Sequence, residues 1–134
     1  MIKGYRKLII GIIAIFGISL ISYANAYDVF IPISKYIKSG NANKLSAWFA
    51  DNLEIEILKK SSDCSKKQAL QIMSTFFKNY TPSAFKINHQ TGSANMKYAA
   101  GKLKAGGKTF MVTIFVHFSK DSYKIQHLKI ELVQ

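Results

Sequence analysis

The chain has 134 residues, with 19 basic residues, 7 acidic residues and a single cysteine. This length favours one compact domain, and one cysteine excludes a framework of internal disulfides. Residues 27–134 carry 16 lysines and a net charge near +9, and the only arginine, Arg6, precedes them. They therefore lack the planar guanidinium group that makes two-point contacts with guanine or phosphate, and we do not expect specific nucleic-acid binding.

The first 26 residues have the pattern of a secretory signal peptide. Lys3, Arg6 and Lys7 precede an apolar run of 14 residues at 8–21, and the segment ends in a small-x-small pattern at Ala26. The run is shorter than the roughly 20 residues that span a bilayer. We therefore expect cleavage after Ala26, a periplasmic or secreted product and one domain at 27–134; an uncleaved anchor is the alternative.

Two helices are predicted next. Apolar residues at helical spacing predict an amphipathic helix over 28–39, with Asp28 as N-cap and Gly40-Asn41 as its end. Pro32 fits the first turn of this helix, and a start near Ile31 is the alternative. A short helix over 43–50 should follow, with Trp48 and Phe49 on its apolar side.

Strict alternation over 53–57 predicts a strand that carries Glu54 and Glu56 on its polar face. Paired carboxylates are compatible with acid–base chemistry, but on the polar side of an amphipathic strand we expect them to be solvated. Cys64 lies in a polar segment, 59–65, which we interpret as a loop whose lysines could lower the thiol pKa. No histidine is near it in sequence, so we do not expect a catalytic thiol.

The strongest helix is predicted to open at Ser65. Ser65 and Gln68 have the spacing of a capping box, in which each side chain satisfies a backbone N–H of the other residue. The apolar face that follows runs to Tyr80, and Pro82 lies just past the end.

Strand patterns then occupy the rest of the chain, at 85–91, 96–104, 110–119 and 123–133, and turn residues separate them. They predict a four-stranded antiparallel meander. A three-residue loop at 120–122 would pair 119 with 123, and would place Val116 opposite Gln126 on the core face and Ile125 on the outer face. Asn95, Lys97 and Gln126 are the polar residues that this arrangement could bring inside.

This element order, with the sequence from Ile37 to Ile55, resembles the nuclear transport factor 2-like (cystatin-like) superfamily. Members often have Gly-Asp where this chain has Gly40-Asn41. The segments 85–92, 98–101, 110–112 and 123–131 are also similar to small exported bacterial domains of unknown function. The resemblance implies an α+β fold whose strongly curved antiparallel sheet wraps around helices to form a cone. It implies no activity, because isomerases, dehydratases, cyclases, transport adaptors and association domains share the scaffold.

The resemblance also implies a pocket between the sheet and the helices. The candidate lining residues are Trp48, Phe76, Tyr80, Tyr98, Val112 and Ile114. Because the predicted core faces are almost entirely hydrocarbon, we expect no catalytic residues, no cofactor and a small apolar ligand if one is bound.

The outer sheet face is a candidate association surface. Apolar residues and two histidines share it, and superfamily members frequently form dimers through the sheet, so we expect a homodimer there. The candidate interface residues are Met111, Phe115, His117, Ile125 and His127. His117 and His127 could approach a shared metal, but zinc needs three or four ligands and only Glu131 or Asp121 could be added, so no metal site is expected.

Three functions therefore remain from the sequence. We favour a non-catalytic exported binding or association domain. One alternative is an isomerase or dehydratase-type enzyme, which His89, Asp51 or Tyr98 converging inside the cone would support. The other is a lysine-driven binder of anionic polymer or membrane surface, which requires lysines clustered on one face.

Overall fold

The computed structural model describes residues 28–133. The signal peptide predicted at residues 1–26 lies outside them, as do the two end residues of the predicted domain. The elements in chain order are α1 (Phe30–Ser39), α2 (Ala42–Ser46), β1 (Phe49–Ile57), β2 (Lys60–Ser65), α3 (Lys66–Asn79), β3 (Pro82–Gly92), β4 (Met96–Ala105), β5 (Lys108–Ser119) and β6 (Ser122–Leu132).

Helix α1 begins at Phe30, between the two starts that the sequence left open. The Asp28 carboxylate accepts a hydrogen bond from the Phe30 backbone N–H at 2.9 Å, so Asp28 satisfies a free amide at the helix start although Val29 holds the N-cap position. Gly40 ends the helix with φ of 65°, a left-handed conformation that costs glycine little.

Helix α2 is shorter than the predicted helix over 43–50. Its N-cap is Asn41, whose side chain accepts from the Lys44 backbone N–H. Trp48 lies beyond its end and Phe49 begins β1. The Trp48 carbonyl accepts from the Ile125 N–H at 2.6 Å, so pairing with a strand distant in sequence replaces the helical hydrogen bonds that the local pattern favours.

The predicted loop at 59–65 is wrong, because Lys60–Ser65 is strand β2. It pairs antiparallel with β1 through a two-residue turn at Leu58 and Lys59, with φ of 52° and 73°. The turn has neither glycine nor asparagine, and the strand is mostly polar. The conformation of β2 depends on backbone pairing with β1 at the sheet edge. Because such pairing does not require alternating apolar residues, the sequence pattern did not indicate a strand here.

The capping box that opens α3 is confirmed. Ser65 Oγ accepts from the Gln68 backbone N–H at 3.2 Å, and Gln68 Oε1 accepts from the Ser65 N–H at 2.9 Å. The apolar side of the helix is buried against the sheet through Ala69, Met73, Phe76 and Phe77.

The described strands form one six-stranded sheet in the order β2-β1-β6-β5-β4-β3. The antiparallel meander β3 to β6 is confirmed, and β1 is added to it parallel to β6. The two-residue turn at Gly106-Gly107 pairs Ala105 with Lys108, which leaves Tyr98 opposite Phe115 on the outer face. These observations show an α+β fold. The sheet is not strongly curled, so the cone implied by the resemblance is not seen.

The register of the last hairpin differs from the prediction at its turn end. The pairs from Phe110 to Phe115 are as predicted, but the turn has two residues and a bulge shifts the register, so Val116 pairs with Ile125. Ile125 is consequently buried in the core, and Gln126 is exposed. A bulge adds one residue to one strand and so reverses the faces on either side of it.

The core lies between the inner sheet face and the helices. Among residues 28–133, every residue classed as buried is apolar or is Cys64, apart from Gly101. The polar intruders considered from the sequence stay outside: Asn95 and Gln126 are exposed and Lys97 is half-buried. Of the helices in this part of the chain, none is long and apolar enough to cross a bilayer.

Candidate functional site

A groove opens between β1, β2 and α3, with a volume of about 480 Å³. Its apolar lining is Ile55, Ile57, Leu58, Ile72, Phe76 and Tyr80, and its polar lining is Lys60, Ser62, Gln71, Thr75 and Asn79. The volume falls within the range of about 300–1,000 Å³ common for small-molecule sites. The mixture of an apolar interior and a few polar groups is also typical of such sites.

Two simple periodicities build this groove. Ile55 and Ile57 point to the same side because successive strand residues alternate. Ile72, Phe76 and Asn79 recur at spacings of four and three, which places them on one side of α3. The groove is therefore the space where the helix and the sheet edge diverge.

Aromatic rings form one end of the groove. The ring centroids of Phe76 and Tyr80 lie 5.2 Å apart, and both rings pack against Phe110, at 5.3 and 5.1 Å. Phe110 is fully buried, so these contacts anchor the groove wall to the core. Edge-to-face contacts of this kind hold ring positions well.

The ionisable groups among the lining residues are Lys60 and Tyr80. No carboxylate or imidazole is among these lining residues, so they supply no acid–base pair of the usual kind. The chemistry that the groove offers is burial of hydrocarbon, hydrogen bonding by hydroxyl and amide groups, and one cation at the start of β2.

The predicted pocket residues lie in three different places. Phe76 and Tyr80 line the groove. Val112 and Ile114 are fully buried in the core, where close packing leaves no access. Trp48 is partly buried against the core, and Tyr98 lies on the outer sheet face.

The residues that would have supported an enzyme do not meet inside the fold. His89 is exposed, and its ring contacts Tyr98 at 5.8 Å on the outer face. Asp51 is exposed near the start of β1.

The outer face carries a group of ionisable side chains that lie close together, on β1 and β6. Ligand atoms of Glu54, Glu56 and His127 all lie within 4.8 Å of one another. His127 Nε2 is 3.6 Å from Glu54 Oε2, is inaccessible to solvent and has no hydrogen-bond partner. From the sequence, both glutamates are expected to be solvated, because no local pattern indicates that β1 lies beside β6.

Two neighbours hold this group in place. Ser61 Oγ donates to Glu54 Oε2 at 2.9 Å. Lys129 Nζ lies 3.3 Å from Glu131 and 3.6 Å from Glu56, and the hydrogen bond and charge of Glu131, followed by the charge of Glu56, raise the pKa of Lys129. Lys129 therefore stays protonated and offsets part of the negative charge.

Four of the predicted interface residues, Met111, Phe115, His117 and His127, lie on the outer face and are half-buried. Ile125 does not belong with them, because the bulge turns it into the core. Phe115 lies between two neighbouring rings: it stacks on His127 at 5.7 Å and contacts Tyr98 at 5.0 Å. The row of rings thus extends across β4, β5 and β6.

Cys64 is buried at the inner face of β2, and its Sγ donates to the Leu53 carbonyl at 3.6 Å. Burial, with a smaller effect of Asp63, raises the pKa of this thiol. The neighbouring lysines, which the sequence left able to lower this pKa, do not offset the effect of burial, because the side chain points into the core.

Lysines occur on all three described helices and on five of the six strands. They are therefore spread over nearly all of the described elements, whereas a lysine-driven binder of anionic surfaces requires lysines clustered on one face.

Comparison with known proteins places the chain in a family without assigning an activity. No curated protein matches it significantly. A DUF4783 protein from Bacteroides uniformis ATCC 8492 has 25% identity and a TM-score of 0.77, over 80% of this chain and 99% of its own. A second, from Bacteroides ovatus ATCC 8483, has 23% identity and a TM-score of 0.74, over 77% and 94%.

The likeness extends beyond that family. An NTF2-like protein of unknown function from Cytophaga hutchinsonii ATCC 33406 is similar in fold, at 11% identity and a TM-score of 0.59, over 79% of this chain and 88% of its own. This likeness is one of fold alone, and it agrees with the resemblance to the nuclear transport factor 2-like superfamily. The profile of the domain of unknown function DUF4783 matches residues 30–131, and the chain therefore belongs to the DUF4783 family.

Proposed function

We propose that this protein is an exported, non-catalytic binding domain that takes an apolar chain with an anionic head group into the groove between β1, β2 and α3. The observation that carries the proposal is the lining: six apolar side chains surround the space, and Lys60 is the one cationic group among the lining residues within 28–133. A hydrocarbon chain would lie against Ile55, Ile72 and Phe76. Its head group would lie near Lys60 and the polar rim.

Chain length is the first test of this proposal. Burying one methylene contributes about 0.8 kcal/mol, so each two added methylenes should tighten binding by about 14-fold until the groove is full. Isothermal titration with carboxylates of eight, ten and twelve carbons measures this dependence. Equal affinities across the series would contradict burial of the chain in the groove.

Substitutions locate the bound ligand. Thr75→Trp puts a large ring at an exposed position that lines the groove, and should abolish binding. Ser74→Trp is the matched control, because Ser74 is the exposed neighbour on α3 and is outside the lining. If both variants bind the twelve-carbon carboxylate like the unmodified protein, the ligand is not in this groove.

The head group is tested by charge. Lys60→Gln should weaken binding of a carboxylate by up to about fivefold, the effect of an exposed ion pair, and leave the alcohol of equal length unchanged. An identical loss for both ligands would show that Lys60 acts by packing and not by its charge.

Export is a separate part of the proposal and rests on the pattern of residues 1–26. It predicts that the protein recovered from outside the cytoplasm begins at Tyr27, which N-terminal sequencing determines. Recovery of a cytoplasmic protein that still begins at Met1 would contradict it.

Self-association through the outer sheet face is a second proposed function. It is favoured by apolar side chains near the middle of the face, Met111 and Phe115, and by exposed Met96 at its end. Light scattering over a range of concentrations should give twice the chain mass, and Met111→Lys should give a monomer. A monomeric mass for the unmodified protein at high concentration would contradict it.

A further inference from the structure

We propose that Glu54, Glu56 and His127 form a binding site for a divalent transition-metal ion, with zinc as its best occupant. The site lies on the outer face, whereas the groove is lined by the intervening residues of β1, Ile55 and Ile57. Alternation along one strand therefore separates two sites. The metal site does not depend on the proposed ligand in the groove.

The first argument is the spacing of the donor atoms. Two ligands held at about 2.0–2.1 Å from a tetrahedral zinc ion are about 3.4 Å apart. His127 Nε2 and Glu54 Oε2 are 3.6 Å apart, close to this separation. The three donors lie within 4.8 Å of one another, so no separation has to close by more than about 1.4 Å, which side-chain rotation can supply.

The second argument is the unsatisfied nitrogen. His127 Nε2 is shielded from solvent and has no hydrogen-bond partner, an arrangement that costs free energy. At 3.6 Å, the nearest Glu54 oxygen is beyond hydrogen-bond distance. A metal ion between these atoms would satisfy both.

The third argument is that the ligands are already oriented. The imidazole stacks on the Phe115 ring with an angle of 22° between the planes, and Ser61 Oγ donates to the Glu54 carboxylate. Metal sites commonly depend on such outer contacts to orient their ligands. Here they come from β5 and β2, on either side of the pair of strands that supplies the ligands.

The donor chemistry selects the ion. One imidazole and two carboxylates suit zinc, with a water in the fourth position, whereas calcium and magnesium prefer oxygen ligands alone. Lys129 competes with a metal ion for the Glu56 carboxylate, because its ammonium group lies 3.6 Å from that carboxylate. On metal binding it can stay with Glu131, which is closer at 3.3 Å.

Titration of tag-free purified protein with zinc chloride, followed by calorimetry, tests the proposal. We expect one zinc ion per chain. His127→Gln and Glu56→Gln should each weaken binding at least about tenfold. The matched control is His117→Gln, a histidine on the same face outside the group, which should bind zinc unchanged.

A variant with the opposite expected effect makes the test independent of misfolding. Lys129→Met removes the competing charge, and should tighten zinc binding by about threefold or more. In the unmodified protein, the ¹⁵N resonance of His127 Nε2 should shift on zinc addition while that of His117 does not.

Three results would contradict the proposed zinc site. They are no binding of zinc to the unmodified protein, equal zinc affinity of His127→Gln and the unmodified protein, and a loss of zinc affinity in His117→Gln as large as that in His127→Gln. Magnesium binding as tight as zinc would also overturn it, because carboxylates alone would then account for the binding.

Discussion

Replacing Ile125 by alanine should lower the free energy of unfolding by about 2–5 kcal/mol, whereas replacing Gln126 by alanine should change it by less than about 0.5 kcal/mol. Ile125 is fully buried opposite Val116, and Gln126 is exposed beside it. The Ile125 change removes about three carbon groups, or about 2.4 kcal/mol of transfer free energy, before any cavity is counted.

Urea unfolding, followed by circular dichroism, measures both variants. With a slope of about 1–3 kcal/mol per molar urea, a loss of 3 kcal/mol moves the midpoint down by about 1–3 M. The hairpin register expected from a three-residue loop makes the opposite prediction, since it places Gln126 inside and Ile125 outside. A larger loss for Gln126→Ala than for Ile125→Ala would refute the bulge and the burial derived from it.

Three further predictions test other parts of the fold. Ser65→Ala should cost about 0.5–2 kcal/mol of unfolding free energy in urea titration, because it removes the α3 cap; a value near zero would contradict that contribution. Gly101→Ala should be destabilising in a thermal melt, because a Cβ would lie 2.5 Å from the Lys86 carbonyl oxygen; an unchanged melting temperature would contradict this close contact. Cys64 should react slowly with a thiol reagent until the protein unfolds. Since its folded pKa is raised above the usual 9.0, the unmodified protein should lose more stability than Cys64→Ala as the pH rises through about 9, and parallel pH profiles would contradict this.

Elements with local signals could be predicted from the sequence. The Ser65 capping box, the apolar side of α3 and the alternating strands of the meander each depend on residues close together in the chain. Their hydrogen bonds and buried faces follow from periodicity and cap chemistry. The same local information placed Glu54 and Glu56 on the polar side of a strand, opposite its apolar side.

The candidate sites could be predicted only in part. The sequence places Phe76 and Tyr80, which line the groove, among the pocket candidates. It does not point to Ile55, Ile57 or Lys60, because the groove depends on β2 pairing with β1. Lys60–Ser65 carries no alternation of its own. A polar edge strand forms by hydrogen bonding to the backbone N–H and C=O groups of its partner strand. Since nearly every residue has these groups, the sequence of the edge strand does not reveal the pairing.

The alternation in the sequence by itself determined that β1 has one apolar face, which carries Ile55, and one acidic face, which carries Glu54. Tertiary structure decided what those faces meet. The parallel pairing of β1 with β6 brings Glu54 beside His127, some 70 residues away in the chain, and the bulge before Ile125 decides which side chains of β6 lie inside. Such long-range contacts and one-residue shifts depend on how the whole sheet packs, and so no local pattern can encode them.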